Sequence, residues 1–410
     1  MTSKVLFPLA VVSLLCACGS GETAKQPPVC VAVDPPATVD PNTIGLVVDS
    51  GPQCVGYING LFASVTICVP GTTTCQNIDH LLVDTGSYGV RVLESALHLA
   101  LPAATNASGL GLAECVPFVL GTTWGPVALA DVKVGNELAQ NLAIQLIGET
   151  TYTLPADCTG TPTMDIQTLG SNGVLGVGPR LQDCGAPCAS TSRSNPGIYY
   201  ACSSAQSCAI AAVPVTQQVS NPVAAFPVDN NGTIIQLGAI GASGATSVSG
   251  VLTFGIGTQT NNGLGGATVL AIDELDYFST TFPVGGTTYA SVLDSGSNGL
   301  FFLNTDLTNL KMCTSSGLSA WYCPASPTNL GATLSSLDGA RTTIVFSVGD
   351  ASRVSASAAA FNTAGPVPGF PYDTTGLGFY WGLPFFYGRT VYTALEGKNT
   401  PAGVGPYFAF

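Results

Sequence analysis

Charge is what this sequence has least of. Acidic and basic residues make up 9% of its 410 residues, with 11 Lys or Arg against 24 Asp or Glu. At a formal net charge of −13, the chain lacks the basic footprint that nucleic acid requires, so no nucleic-acid partner is expected. There are two histidines, His80 and His98, and neither lies among the cysteines; no Cys-x-x-Cys and no His-Glu-x-x-His occurs. Zinc therefore has no ligand set with familiar spacing, and neither a metal nor a cofactor is expected. The Gly-x-Ser-x-Gly elbow of serine hydrolases is missing too. Mean hydropathy is +0.39, yet beyond the first residues no apolar run is long enough to span a bilayer.

Glycine and proline are plentiful, at 49 and 28 residues, and they punctuate short Val- and Thr-rich segments. That rhythm predicts a mainly β protein, and the length suffices for two lobes of ordinary domain size. The chain begins like a secretory leader, with Lys4 ahead of the apolar core Val5 to Leu15. The next residues, Leu15-Cys16-Ala17-Cys18-Gly19-Ser20, resemble a bacterial lipobox. The resemblance implies cleavage before Cys18 and lipidation of that residue; an ordinary cleaved signal containing a cysteine is the alternative. Without Asp after Cys18, the sequence looks like an outer-membrane lipoprotein, anchored stably if two or more acyl chains are attached. Residues 1–17 are thus read as leader and 18–44 as a Pro- and Ala-rich tether.

Twelve of the 14 cysteines lie past the lipobox, an even number in a chain read as exported, which points to disulfides. The simplest pairing joins neighbours: Cys68/Cys75, Cys184/Cys188, Cys202/Cys208 and Cys313/Cys323. That leaves Cys30/Cys54 and Cys115/Cys158.

Two stretches read almost alike, Leu82-Val83-Asp84-Thr85-Gly86-Ser87 and Val292-Leu293-Asp294-Ser295-Gly296-Ser297. In each, an apolar pair fit for a buried strand end runs into Asp, a small hydroxyl residue, Gly and Ser. One copy would be ordinary turn chemistry; two copies, one per half, resemble the paired motifs of pepsin-like aspartic peptidases. The resemblance implies a bilobal fold with two related β lobes around a central cleft, divided here as 45–215 and 216–410. It also implies a peptide or protein substrate, a monomer, and Asp84 and Asp294 as the catalytic pair. Thr85 and Ser295 would brace the two loops, Ser87 and Ser297 would hold the carboxylates, and Gly86 and Gly296 would allow the turns.

The order of lesser motifs is similar to pepsins as well. Phe118 to Gly135 reads as a hairpin around Gly121-Thr122-Thr123, like the flap over a pepsin cleft. No flap Tyr is evident, so Phe118 and Trp124 are the candidates for its place; for Trp124, packing in the lobe core is the alternative. Val90 to Leu99 is expected to form a short helix. Gly173-Val174-Leu175-Gly176 and Tyr380-Trp381-Gly382 resemble the apolar-apolar-Gly elements beside each Asp motif, although pepsins usually carry Asp where this chain has Leu383. Gln182 to Cys208 reads as a disulfide-tied excursion between lobes.

Thr123 to Val127, Phe254 to Thr258, the second Asp motif and Gly382 to Phe386 are similar to a bacterial family of exported proteins of unknown function. Two classes of function remain. One is aspartic endopeptidase; the other is an inactive pepsin-like fold that binds peptide or glycan, or serves as a structural surface lipoprotein.

Overall fold

The computed structural model describes residues 33–38, 40–118, 121–282, 286–302, 309–315, 318–353, 358–366 and 378–410. The leader, the lipobox and Cys30 lie outside them. Short β-branched segments between glycines build almost everything: the sole α-helix among the described residues, Ile166–Leu169, is one turn long. None of the described helices is long and apolar enough to cross a membrane.

Each Asp stands at the end of a strand pinned on both sides. Cys75–Asp84 pairs in parallel with Gly173–Val177, setting Asp84 opposite Gly176. The chain then turns and runs back as Tyr88–Leu93 along the other edge of Gly173–Val177. The second half repeats the arrangement. Thr288–Leu293 lies parallel to Gly378–Trp381, and Leu300–Phe302 returns antiparallel on its far side. The third residue of each apolar-apolar-Gly element must be small because the returning chain crosses over it. A Cβ on Gly176 would lie 2.7 Å from the Tyr88 backbone nitrogen, and one on Gly382 would lie 2.1 Å from the Gly299 carbonyl oxygen.

The expected helix over Val90 to Leu99 is instead the end of the strand Tyr88–Leu93 followed by a single 3-10 turn, Glu94–Ala96. Val90 and Val92 are fully buried, and two β-branched residues at alternate positions favour a pleated surface over a helix.

The halves meet through backbone pairing. Thr43–Asp49 pairs with Gly60–Cys68 on one side and with Val248–Phe254 on the other, and the sheet continues through Gly232–Leu237, Thr390–Ala394 and Tyr407–Ala409. The shared sheet begins inside the stretch read as tether, and Val33 packs against Val47, Phe62 and Leu82. One apolar cluster runs through both halves, from Ile44 and Leu46 to Phe385 and Phe408. Burying such side chains supplies about 1.5–3 kcal/mol each before entropy is counted.

Five disulfides join Cys68–Cys75, Cys115–Cys158, Cys184–Cys188, Cys202–Cys208 and Cys313–Cys323. Cys54 is also disulfide-bonded. The cysteine-rich excursion is built onto the first half. Its strand Tyr199–Ser204 pairs with Gly111–Phe118, one arm of the flap-like hairpin, and buries Tyr199, Tyr200 and Cys202 there.

Candidate active site

Asp84 and Asp294 end their strands 7% and 6% exposed, close enough for a hydrogen bond between the two carboxyl groups. Their loops interlock. A Cβ on Gly86 would lie 2.8 Å from Asp294 Cγ, and a Cβ on Gly296 would lie 2.5 Å from Asp84 Oδ1. Each glycine therefore forms the seat of the opposite carboxyl group, and no larger residue fits.

The hydroxyl residues cross from loop to loop. Thr85 Oγ1 donates to the Leu293 carbonyl at 2.8 Å and accepts from the Ser295 amide at 2.9 Å. Ser295 Oγ donates to the Val83 carbonyl at 2.7 Å and accepts from the Thr85 amide at 3.1 Å. All four groups are buried, where an unmade bond costs about 1–3 kcal/mol, so the two loops are fixed as one unit.

The second pair of hydroxyls orients the acids. Ser87 Oγ donates to Asp84 Oδ2 at 2.5 Å while the Gly86 amide donates to Oδ1 at 2.8 Å. Ser297 Oγ donates to Asp294 Oδ2 at 2.7 Å, and the Gly296 and Ser297 amides reach its Oδ1 at 2.9 and 3.2 Å. Burial, then the charge of Asp84, push the Asp294 carboxyl up to about 8, against the pull of the Ser297 hydroxyl. A second negative charge is thus disfavoured at Asp294 beside Asp84.

Other candidates fall elsewhere. Trp124 is 2% exposed, donates its indole N–H to the Tyr152 carbonyl at 2.9 Å and meets Tyr200 edge-on. It is a core residue of the hairpin, because its cross-strand partner Cys115 is bridged into the same lobe interior. Phe118 ends its strand opposite Gly121, so Gly121-Thr122-Thr123 belongs to the second arm of the hairpin, Gly121–Val134. Leu383 is buried; its amide donates to the Ser297 carbonyl at 2.8 Å and it opens a 3-10 turn with Pro384. His80 stands between Asp79 and Asp49, with ring nitrogens 2.9 and 3.1 Å from their carboxylates. Burial pulls its pKa down, but those hydrogen bonds outweigh it and the net direction is up.

Two residues of the site carry no motif. Tyr57 is half-buried, and burial, Asp84 and Asp294 all raise its phenol, so it stays protonated beside the pair. Gly170 and Gly60 make room for its ring, since Cβ atoms there would lie 2.1 and 2.6 Å from it. Asn59, fully buried, donates to the Asn298 and Phe361 carbonyls at 2.8 and 2.9 Å and accepts from the Phe361 amide and the Tyr387 hydroxyl. It fastens the first half to the chain just past Ser297. A glycine-rich setting was the only sign of Tyr57, and Asn59-Gly60 read only as a turn, with nothing to mark its partners in the second half.

A search of curated proteins finds no match. Among solved structures, the chain is similar to the aspartic proteinase from Irpex lacteus at 13% identity, with a TM-score of 0.53, over 90% of this chain and 96% of that one. At that identity the likeness establishes the pepsin-like fold. The model of a family described as protein of unknown function, DUF3443, matches residues 38–410, and the chain belongs to that family.

Proposed function

We propose that the protein is an aspartic-type endopeptidase. The observation that carries this reading is the interlocked pair of loops, which holds Asp84 and Asp294 within reach of each other with a raised proton affinity at Asp294. In the monoprotonated pair, the ionised carboxylate takes a proton from a water, whose oxygen attacks the peptide carbonyl carbon. The protonated partner gives its proton to the carbonyl oxygen to form a diol. The carboxyl that took the water's proton then passes it to the amide nitrogen while the other takes a proton back from a diol hydroxyl. The C–N bond breaks to release the acid and the amine, with the monoprotonated pair restored. The titration belongs to the pair, so neither acid has a fixed role. Thr85, Ser295, Ser87 and Ser297 position the acids without touching the reacting atoms.

We further propose that the protein is exported and held at the bacterial outer membrane by lipid on Cys18. The five disulfides are consistent with an oxidising compartment.

The test is digestion of a broad peptide library by disulfide-intact protein between pH 3 and 8, with and without a statine-type transition-state mimic. Cleavage that the mimic blocks supports the proposal; no cleavage at any pH rejects it. A second reading, binding of peptide or glycan without cleavage, is favoured by the hairpin end, where Phe118 offers no hydroxyl and Trp124 is turned inward.

A further inference from the structure

The flap-like hairpin is not free at its edges. One arm, Gly111–Phe118, pairs with Tyr199–Ser204, which pairs in turn with Ser207–Ile210. The other arm, Gly121–Val134, pairs with Glu137–Ile147. Cys115–Cys158 bridges the first arm to the segment beyond Glu137–Ile147, and Cys202–Cys208 clips the outer two strands.

Behind this sheet lies an arginine that is 1% exposed. Arg91 belongs to the strand Tyr88–Leu93, which begins one residue after Ser87. Its guanidinium donates to the Tyr88 carbonyl at 2.6 Å, to Glu114 of the first arm at 3.2 Å and to Asp183 of the cysteine-rich segment at 2.8 Å. Asp183 also accepts the Tyr199 hydroxyl at 2.7 Å, and that oxygen accepts from the Val219 amide. The guanidinium carbon lies 5.7 Å from the centre of the Phe118 ring. Burial and Glu114 raise Asp183 well above the carboxylate range. Even so, Arg91 Nε and Glu114 Oε2 are buried without a hydrogen-bond partner. Buried ion clusters of this kind are often no more stable than an apolar replacement, so stability alone does not explain it. What the cluster does achieve is a three-way fastening of Asp loop, hairpin and excursion.

We propose that Arg91 is a positioning residue that locks the hairpin and Phe118 to the Asp84 loop, making the hairpin a fixed wall and not a lid that opens and closes. Its importance to catalysis rests on the peptidase reading; the locking does not.

Hydrogen exchange on the full, disulfide-intact chain tests it, comparing wild type with Arg91→Lys, Arg91→Met and Glu114→Gln. In wild type, amides of 111–118 and 121–134 should exchange as slowly as those of 248–254, and a statine-type mimic should add no protection. Arg91→Met and Glu114→Gln should each speed exchange in the hairpin by about tenfold or more while leaving 248–254 unchanged, and Arg91→Lys should restore part of the protection. A packing role would give the opposite order, with Met protecting better than Lys. That order, or a wild-type hairpin that exchanges freely and is slowed by the mimic, overturns the proposal. If Arg91→Met does not fold, Glu114→Gln decides alone. Failure of wild type to cleave peptides would reject the peptidase reading and leave these exchange results intact.

Discussion

Replacing Asp294 with asparagine should make the folded chain more stable at neutral pH while removing half of the acid pair. Burial and the charge of Asp84 raise this carboxyl from 3.8 to about 8. The folded state thus holds the proton more tightly than the unfolded state, and stability is lost as pH climbs from the ordinary value through the raised one. Below pH about 4 both states are protonated and the group costs nothing. At pH 7 the unfolded carboxyl is ionised by about three powers of ten, a cost to folding of about 4 kcal/mol; above the raised value it levels off near 6 kcal/mol. Asparagine escapes this cost. Its oxygen can keep the Gly296 and Ser297 amides, but its NH2 group must turn the Ser297 hydroxyl from donor to acceptor, for which about 1–2 kcal/mol is allowed. The net gain at pH 7 is then about 2–3 kcal/mol, on the order of 5–10 °C in Tm for lobes of this size. Thermal unfolding of both proteins from pH 3.5 to 8.5 is the assay. At the acid end the variant should be the less stable by about 1–2 kcal/mol, and the curves should cross as pH rises so that the variant leads at neutrality. A gap independent of pH, or a variant less stable at pH 8, would refute the claim that burial of this acid dominates the site.

Gly86→Ala places a methyl group 2.8 Å from Asp294 Cγ, so the pair must spread; titration followed by carboxyl infrared bands should show the raised proton affinity falling back, and an unchanged value would contradict the interlocked geometry. Asn59→Ala strands the Asn298 and Phe361 carbonyls and the Phe361 amide, at about 3 kcal/mol or more in total; a loss below about 1 kcal/mol in chemical unfolding would show that the fastening is dispensable. Cys18→Ser should release the protein from membranes into the soluble fraction, and unchanged fractionation would refute the lipid anchor.

The Asp pair was legible in the sequence because its chemistry is local. Asp, hydroxyl residue, Gly and Ser are adjacent in the chain, and the same four positions make the bonds that orient each acid. The apolar-apolar-Gly elements were legible as short runs of sequence, although the crossings that demand their glycines, Tyr88 over Gly176 and Gly299 over Gly382, come from far along the chain. What escaped reading depends on distant partners. Asn59 reaches residues 239, 302 and 328 positions away, and Arg91 meets Asp183 across 92. Of the two alternatives open for Trp124, strand register decided for the core, in which the Cys115–Cys158 pairing left over from the sequence also lies. The excursion was legible from its cysteines, which close short loops, but the backbone hydrogen bonds that tie its strand to the hairpin were not.

The central claim is that Asp84 and Asp294 act as one catalytic unit. Its most direct test is kcat/KM toward a cleaved peptide for wild type, Asp84→Asn, Asp294→Asn and the double variant, each shown to be folded. Because either substitution removes the shared proton and base together, all three variants should be inactive to about the same degree, and wild type should show a bell-shaped pH profile set by the pair. A single variant that keeps activity near wild type, or a double variant far slower than either single one, would contradict the account.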